Sequence, residues 1–99
     1  MEGEDLSFED TLKHIDRESE HFVVRLETHH TGRQLTVVEA HRPTKDEAFL
    51  RVLAHKLKEA LGTGGDVAEG RIVLHGDQRD HVKRELVKLG FSPESIELI

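Results

Sequence analysis

The residues best suited to metal binding or proton transfer at neutral pH are eight histidines: His14, His21, His29, His30, His41, His55, His75 and His81. A helical zinc site commonly uses two histidines four residues apart, and no pair in the chain has that spacing. A hairpin turning at residues 29–33 would place His21 opposite His41. This cross-strand pair is the remaining arrangement in which two histidines could share a metal ion. We therefore expect isolated surface histidines, no metal site and no bound cofactor.

The cluster Gly62-Thr63-Gly64-Gly65 could bind phosphate through its backbone N–H groups. It lacks the Gly-Lys-Ser/Thr ending and the preceding strand of a nucleotide-binding loop, so nucleotide binding is not expected. The simpler interpretation is a helix stop followed by a turn. A second cluster, Gly76-Asp77-Gln78-Arg79, predicts a tight turn with Asp77 as a helix N-cap. In that cluster Arg79 either contacts a phosphate or forms a surface ion pair of little energy.

No catalytic pattern emerges from the remaining residues. The chain has no cysteine, so it offers no thiol nucleophile, disulfide or thiolate metal site. The Gly-x-Ser-x-Gly motif of serine hydrolases is also absent. His75 and Asp77 are close in sequence, but two residues apart at a strand end they do not form a catalytic pair. The sequence therefore indicates a protein that is not an enzyme.

The net charge of −6 comes entirely from residues 1–20. That segment has two basic residues, Lys13 and Arg17, against eight acidic ones: Glu2, Glu4, Asp5, Glu9, Asp10, Asp16, Glu18 and Glu20. Residues 21–99 are neutral, with 12 acidic and 12 basic side chains. Because a neutral body can present a basic face, the acidic composition does not exclude nucleic acid as a ligand.

Two interpretations of the acidic segment 1–20 remain open. Ser7 and Asp10 match a helix-capping pattern, and Phe8, Leu12 and Ile15 follow at helical spacing, which predicts a short amphipathic helix. The alternative is a disordered acidic tail. No apolar run is long enough to cross a bilayer or to act as a signal peptide, so we expect a cytoplasmic protein without a membrane partner.

Alternation of apolar and polar residues and β-branched composition predict five strands: His21–Thr28, Gln34–Ala40, Val67–Ala68, Arg71–His75 and Ser95–Ile99. The first two would form a hairpin whose loop, 29–33, contains Gly32. The third and fourth would turn at Glu69-Gly70. Gly64 and Gly65 are predicted to lie in a loop before the third strand.

Two helices are predicted between these strands. Thr44 and Glu47 match the reciprocal capping pattern at the start of the first, and Gly62 ends it. Asp77 would begin the second, and Gly90 would end it. The expected buried stripes are Phe49, Val52, Leu53, Leu57, Ala60 and Leu61 in the first helix, and Val82, Leu86 and Leu89 in the second.

One apolar stripe per helix and alternating strands predict an α+β fold in two layers. We expect a two-layer α/β sandwich, with a mixed sheet of four to five strands and both helices on one face. The order is strand-strand-helix-strand-strand-helix-strand, and the sheet is mixed because the last strand returns after a helical crossover.

Five segments in this order resemble the translation initiation factor 1 family of eukaryotes and archaea, the SUI-type domain. The matching segments are Gly32–Val38, Leu53–Lys58, Leu61–Gly70, Ile72–Asp80 and Leu89–Phe91. The resemblance covers residues 21–99 and leaves residues 1–20 as a separate segment. It implies a monomeric ribosome-binding domain, with the small ribosomal subunit and its ribosomal RNA as partners, together with other initiation factors or the initiator transfer RNA complex.

The resemblance also implies which residues contact RNA near the peptidyl site. The basic first hairpin loop of the family maps to His29, His30, Gly32 and Arg33, and its glycine loop maps to Thr63, Gly64, Gly65 and Asp66. Lys56 and Lys58, expected on the exposed side of the first helix, and Arg79 would add phosphate contacts. Through these residues the protein would influence start-codon selection.

Several residues depart from the family pattern. Arg33 is the only permanent cation in the first hairpin loop, where the family has several, and Asp66 replaces a neutral hydroxyl residue. Such departures are typical of a divergent or bacterial relative with a regulatory role in translation. They also keep a second hypothesis open: a protein-interaction module on the same fold, with reduced RNA binding and regulation by the acidic segment 1–20.

Overall fold

The computed structural model describes residues 20–40 and 47–99. The elements are β1 (Phe22–Thr28), β2 (Gln34–Ala40), α1 (Glu47–Leu61), β3 (Gly65–Ala68), β4 (Arg71–His75), α2 (Arg79–Lys88) and β5 (Ile96–Leu98). A 3₁₀ turn, Pro93–Ser95, leads into β5. This is the predicted order of strands and helices. The predicted helix near Ser7, the predicted capping residue Thr44 and the proposed His21–His41 pair fall wholly or partly outside the described residues.

The five strands form one sheet in the order β3-β4-β2-β1-β5. Neighbouring strands are antiparallel except β1 and β5, which pair in parallel with Phe22 opposite Ile96. The α2 helix and the 3₁₀ turn supply the crossover that a parallel pair requires. The predicted α+β fold with a mixed sheet is therefore confirmed.

The first hairpin forms as its alternation predicts. Its register places Val24 opposite Val38 and closes with Thr28 opposite Gln34, which leaves the predicted five-residue loop 29–33. The loop is held by hydrogen bonds from Gly32 N to His29 O (2.7 Å) and from His29 N to Arg33 O (2.8 Å). Gly32 has a φ of 86°, a conformation that glycine adopts without the steric cost of a side chain.

Both helices pack on one face of the sheet. Helix α1 contacts β3 and β4, α2 contacts β1 and β5, and the helices contact each other. Their shared core joins residues that are all almost fully buried: Phe22, Val24, Val38, Phe49, Leu50, Leu53, Ala54, Leu57, Ile72, Leu74, Val82, Leu86, Phe91 and Ile96. The rings of Phe22 and Phe91 meet edge to face, with centroids 4.9 Å apart.

The buried stripe of α1 differs in part from the prediction. Leu50 and Ala54 are buried although the spacing did not select them, because the helix packs against both the sheet and α2 and so buries a wider arc. Ala60 is exposed because it lines an open groove between the two helices. Val52 and Leu61 are only partly buried.

Both helices end as predicted at glycines in the left-handed conformation, Gly62 with a φ of 62° and Gly90 with a φ of 105°. After α2 the bonds Gly90 N to Val87 O and Phe91 N to Leu86 O form the paired pattern of a Schellman motif. This motif turns the chain sharply and places Phe91 in the core.

Two predicted boundaries are wrong by one or two residues. Helix α2 begins at Arg79, so its N-cap position is Gln78, one residue after the predicted Asp77, and Gln78 makes no side-chain capping bond. The Asp77 carboxylate still accepts a long bond from Arg79 N at 3.4 Å, but its shorter bonds go to the Arg79 side chain, and the Gln78 N–H donates to the Thr36 hydroxyl. Strand β3 begins at Gly65, which the sequence placed in a loop, because a residue without a side chain can approach β4 closely there.

Candidate nucleic-acid interface

Three loops meet at one end of the sheet: 29–33, 62–64 and 76–78. The strand directions bring them together, because β1, β4 and β5 end there while β2 and β3 begin there. Two backbone bonds join the loops, from Gly76 N to Gln34 O (2.9 Å) and from His75 N to Gly64 O (3.0 Å). We call this end of the domain the loop end. It gathers residues from the first hairpin, the glycine loop and the start of α2 into one surface.

A buried hydroxyl fixes the loop end. Thr36 on β2 is completely buried, and its Oγ1 donates to the Gly76 carbonyl oxygen at 2.6 Å. The Thr36 Oγ1 also accepts a hydrogen bond from Gln78 N at 2.7 Å. These two bonds tie the start of α2 to the centre of the sheet. Sequence reasoning missed this role, since a threonine inside a strand is explained by its β-branched side chain alone.

The first hairpin loop presents its candidate residues to solvent. His29, His30, Gly32 and Arg33 are all exposed. Arg33 makes no ion pair with any carboxylate of residues 20–40 or 47–99. Its guanidinium is therefore available to phosphate oxygens, which it can contact through two parallel hydrogen bonds.

The glycine loop lies against the end of β4. The Thr63 hydroxyl donates to the His75 carbonyl oxygen at 3.2 Å. A methyl group added at Gly64 would come within 3.2 Å of the His75 ring, whereas one at Gly65 would collide with the Val73 carbonyl oxygen. Asp66 is exposed, and its carboxylate accepts a bond from Val67 N at 2.8 Å. The two glycines thus have different roles: Gly65 permits close strand pairing, and Gly64 borders solvent.

The two candidate lysines of α1 lie on opposite flanks of the helix. Lys58 points toward β3, with its Nζ 3.4 Å from the Gly65 carbonyl oxygen. Lys56 lines the groove between the helices with Leu57, Glu85 and Leu89. Both are half-buried, and only Lys58 lies beside the glycine loop, so the expectation that they share one exposed side is wrong.

Arg79 is held by its neighbours. Its Nε and Nη2 donate to the two oxygens of Asp77 at 2.9 and 2.8 Å, and its Nη1 donates to the Ile99 carbonyl oxygen at 3.0 Å. The hydrogen bond from Arg79 lowers the pKa of Asp77 below its ordinary value. This geometry matches the ion-pair interpretation of Arg79 and ties the end of β5 to α2.

On the sheet face away from the helices, two arginines are paired. Arg25 bonds Glu39 through both carboxylate oxygens, at 2.7 and 3.0 Å, and Arg71 lies 3.6 Å from the same group. The hydrogen bond from Arg25 lowers the pKa of Glu39. These arginines are compensated on that face. Since Arg79 is paired with Asp77, the cations beside the three loops without a carboxylate partner in the described residues include Arg33 and Lys58.

A groove of about 360 Å³ between α1 and α2 is open to solvent and does not enclose a substrate site. Within residues 20–40 and 47–99, no three histidine, aspartate or glutamate side chains are placed to hold a metal ion. Neither described helix is long and apolar enough to cross a membrane.

Comparison with known proteins gives a consistent result. Residues 18–92 match the family described as Translation initiation factor SUI1. A protein translation factor SUI1 homolog from Sulfolobus acidocaldarius is 38% identical over 86 residues, covering 87% of this chain and 84% of the relative. The homolog from Aeropyrum pernix is 45% identical over 76 residues, covering 77% of this chain and 73% of the relative. The homolog from Thermococcus gammatolerans is 39% identical over 87 residues, covering 88% and 87%. This chain belongs to the translation initiation factor SUI1 family.

Proposed function

We propose that this protein is a non-enzymatic translation initiation factor that binds the small ribosomal subunit near the peptidyl site and influences start-codon selection. The observation that carries the proposal is the loop end, where the exposed loop 29–33, the glycine loop and Lys58 form one surface. Family membership supports the same role. The protein would act as a monomer in the cytoplasm, with ribosomal RNA, other initiation factors or the initiator transfer RNA complex as partners.

RNA binding would begin with phosphate contacts. Arg33 and Lys58 supply the positive charge, and protonated His29 and His30 would add to it. The glycine loop at Thr63 and Gly64 lies beside these cations. Because Gly64 has no side chain, RNA can approach the backbone closely there. Asp66, next to the glycine loop, would repel a phosphate that came too close, which is one means of rejecting an incorrectly seated transfer RNA.

Sedimentation with small ribosomal subunits tests the proposal. We expect the wild-type protein to co-sediment at low salt and to dissociate steeply as salt rises, because phosphate contacts release counterions. The double variant Arg33→Glu/Lys58→Glu should lose binding. The matched control Arg51→Glu/Lys88→Glu changes the charge equally at two exposed positions away from the loop end and should bind normally. Equal binding by both variants would contradict the proposal. A separate variant, Lys56→Glu, measures whether the lysine in the groove between α1 and α2 adds a phosphate contact.

The acidic segment 1–20 favours a second candidate, a protein-interaction module with reduced RNA binding. The observation that favours this candidate is that residues 1–20 carry the whole net charge, while the hairpin loop has one permanent cation. Deleting residues 1–20 distinguishes the two. Tighter binding to subunits after deletion indicates that the segment competes with RNA, whereas loss of a protein partner with no subunit binding before or after indicates the module.

A further inference from the structure

Building on the function proposed above, we propose that His75 and His81 belong to the RNA-binding surface together with His29 and His30, and that these four imidazoles make phosphate binding depend on protonation. Neither His75 nor His81 was a candidate from the sequence, where the eight histidines are spread over the whole chain. All four are exposed, and the fold places them at the loop end.

A continuous set of contacts joins the segments that carry the histidines. The loop that holds His29 and His30 closes at Gln34, whose carbonyl oxygen accepts the bond from Gly76 N, directly after His75. The Gln78 amide links the backbone of His75 to the ring of His81. Its Nε2 donates to the His75 carbonyl oxygen at 3.4 Å, and its Oε1 lies 3.3 Å from His81 Nδ1.

His75 also forms part of the glycine-loop surface. Its imidazole borders Gly64, where an added methyl group would come within 3.2 Å of Nδ1 and 3.4 Å of Cε1. A phosphate close to the Gly64 backbone would therefore also be close to this ring. The side chain lies where the glycine loop would contact RNA.

The fixed charges around these rings nearly cancel, so protonation of an imidazole changes the net charge of the loop end. The permanent cations are Arg33 in the hairpin loop, Lys58 beside Gly65 and Arg84, one turn after His81 on α2. The nearby acids are Asp66 on β3 and Asp80 in the first turn of α2, together with Asp77 and its partner Arg79 and Glu85 and its partner Lys88. Because Asp77 is neutralised by Arg79, acids and permanent cations nearly balance, and each proton taken up by an imidazole makes the loop end more positive.

Imidazoles take up their proton at mildly acidic pH, and the protonated ring donates from both nitrogens to phosphate oxygens. Phosphate favours the charged ring, so binding RNA should be coupled to proton uptake. Each proton taken up can change the binding constant by as much as about tenfold per pH unit. A loop with arginines and lysines in these positions would bind with little dependence on pH.

The test measures affinity of the full chain for purified small ribosomal subunits at about pH 6 and about pH 8, at constant ionic strength. We expect wild type to bind roughly tenfold more tightly at the lower pH. The variant His75→Gln/His81→Gln should lose a large part of that ratio, because two of the four imidazoles that gain a proton at the lower pH are gone. The control His55→Gln removes an exposed imidazole on the outer face of α1, beside Glu59, and should keep the wild-type ratio.

A second variant, His29→Gln/His30→Gln, measures how much of the pH dependence of binding comes from the first hairpin loop. Because all four rings are exposed, we expect each variant to unfold at the wild-type urea midpoint. A wild-type pH ratio in His75→Gln/His81→Gln would overturn the assignment of these two residues, and no pH dependence in wild type would overturn the whole inference. No binding at either pH would refute the proposed function as well, so the two failures are distinguishable.

Discussion

Replacing Thr36 by valine should destabilise the domain strongly, because it removes the hydroxyl that ties the start of α2 to the sheet. The substitution keeps the shape and β-branching of a fully buried side chain. It removes the bond to Gly76 O at 2.6 Å and the bond from Gln78 N at 2.7 Å. Two backbone groups in half-buried residues thereby lose their partner, and an unsatisfied group that water does not reach costs roughly 1–3 kcal/mol. After allowing for the gain from burying an extra methyl group, we expect the free energy of unfolding to fall by about 2–4 kcal/mol.

That loss is large for a domain of this size, whose total stability is of the order of 5–10 kcal/mol. The melting temperature should fall by about 10–20 °C. Urea unfolding followed by circular dichroism measures the effect, since the chain has no tryptophan or tyrosine for fluorescence. Thr36→Ser, which keeps the hydroxyl, should recover most of the stability.

The matched control is Thr28→Val, the same chemical change at an exposed position at the end of β1. It should alter the free energy of unfolding by no more than about 0.5 kcal/mol. If Thr36→Val is no less stable than this control, the two short hydrogen bonds do not hold the loop end in place. A weakened loop end should also weaken subunit binding, whereas Thr28→Val should leave that binding unchanged.

Three further predictions follow from the site. Gly65→Ala should cost more than about 2 kcal/mol, because its methyl meets backbone of β4; Gly64→Ala, which meets only a movable ring, should cost far less, and equal urea midpoints would contradict this. Since the pKa of Glu39 is lowered, its stabilisation is present above the ordinary value of 4.5 and lost as the pH falls through the folded-state value. The free energy of unfolding of Glu39→Gln should therefore depend less on pH in that acidic range, and an unchanged pH profile would count against the ion pair. Asp77→Asn should release Arg79 and steepen the salt dependence of subunit binding by about one unit; an identical slope would show that Arg79 does not reach RNA.

Much of the fold could be predicted because its signals are local. Alternation in β1 and β2 fixes which side chains face the helices, and the glycines at 32, 62 and 90 can adopt the left-handed turns that end each element. These are properties of the chain within a few residues. The same locality explains the errors, since the wider buried face of α1, with Leu50 and Ala54, depends on packing against two partners at once.

The candidate site was predictable only in part. The resemblance to the family selected the loop histidines and Arg33, and their exposure was predictable because a hairpin loop is exposed wherever its strands go. The separation of Lys56 from Lys58 could not be predicted from their spacing alone, because it depends on which neighbour lies on each side of α1. Arg79 could not be assigned either, since its partners include Ile99, twenty residues away in sequence.

The order of the elements, the two layers, the family and the concentration of acid in residues 1–20 can all be read from the chain, because they depend on composition, periodicity and motif order. The role of Thr36 at the start of α2, and the position of His75 and His81 at the same end as the first hairpin loop, become visible in the folded domain alone. Strand register and direction bring together residues about 40 positions apart, and no local pattern encodes that proximity.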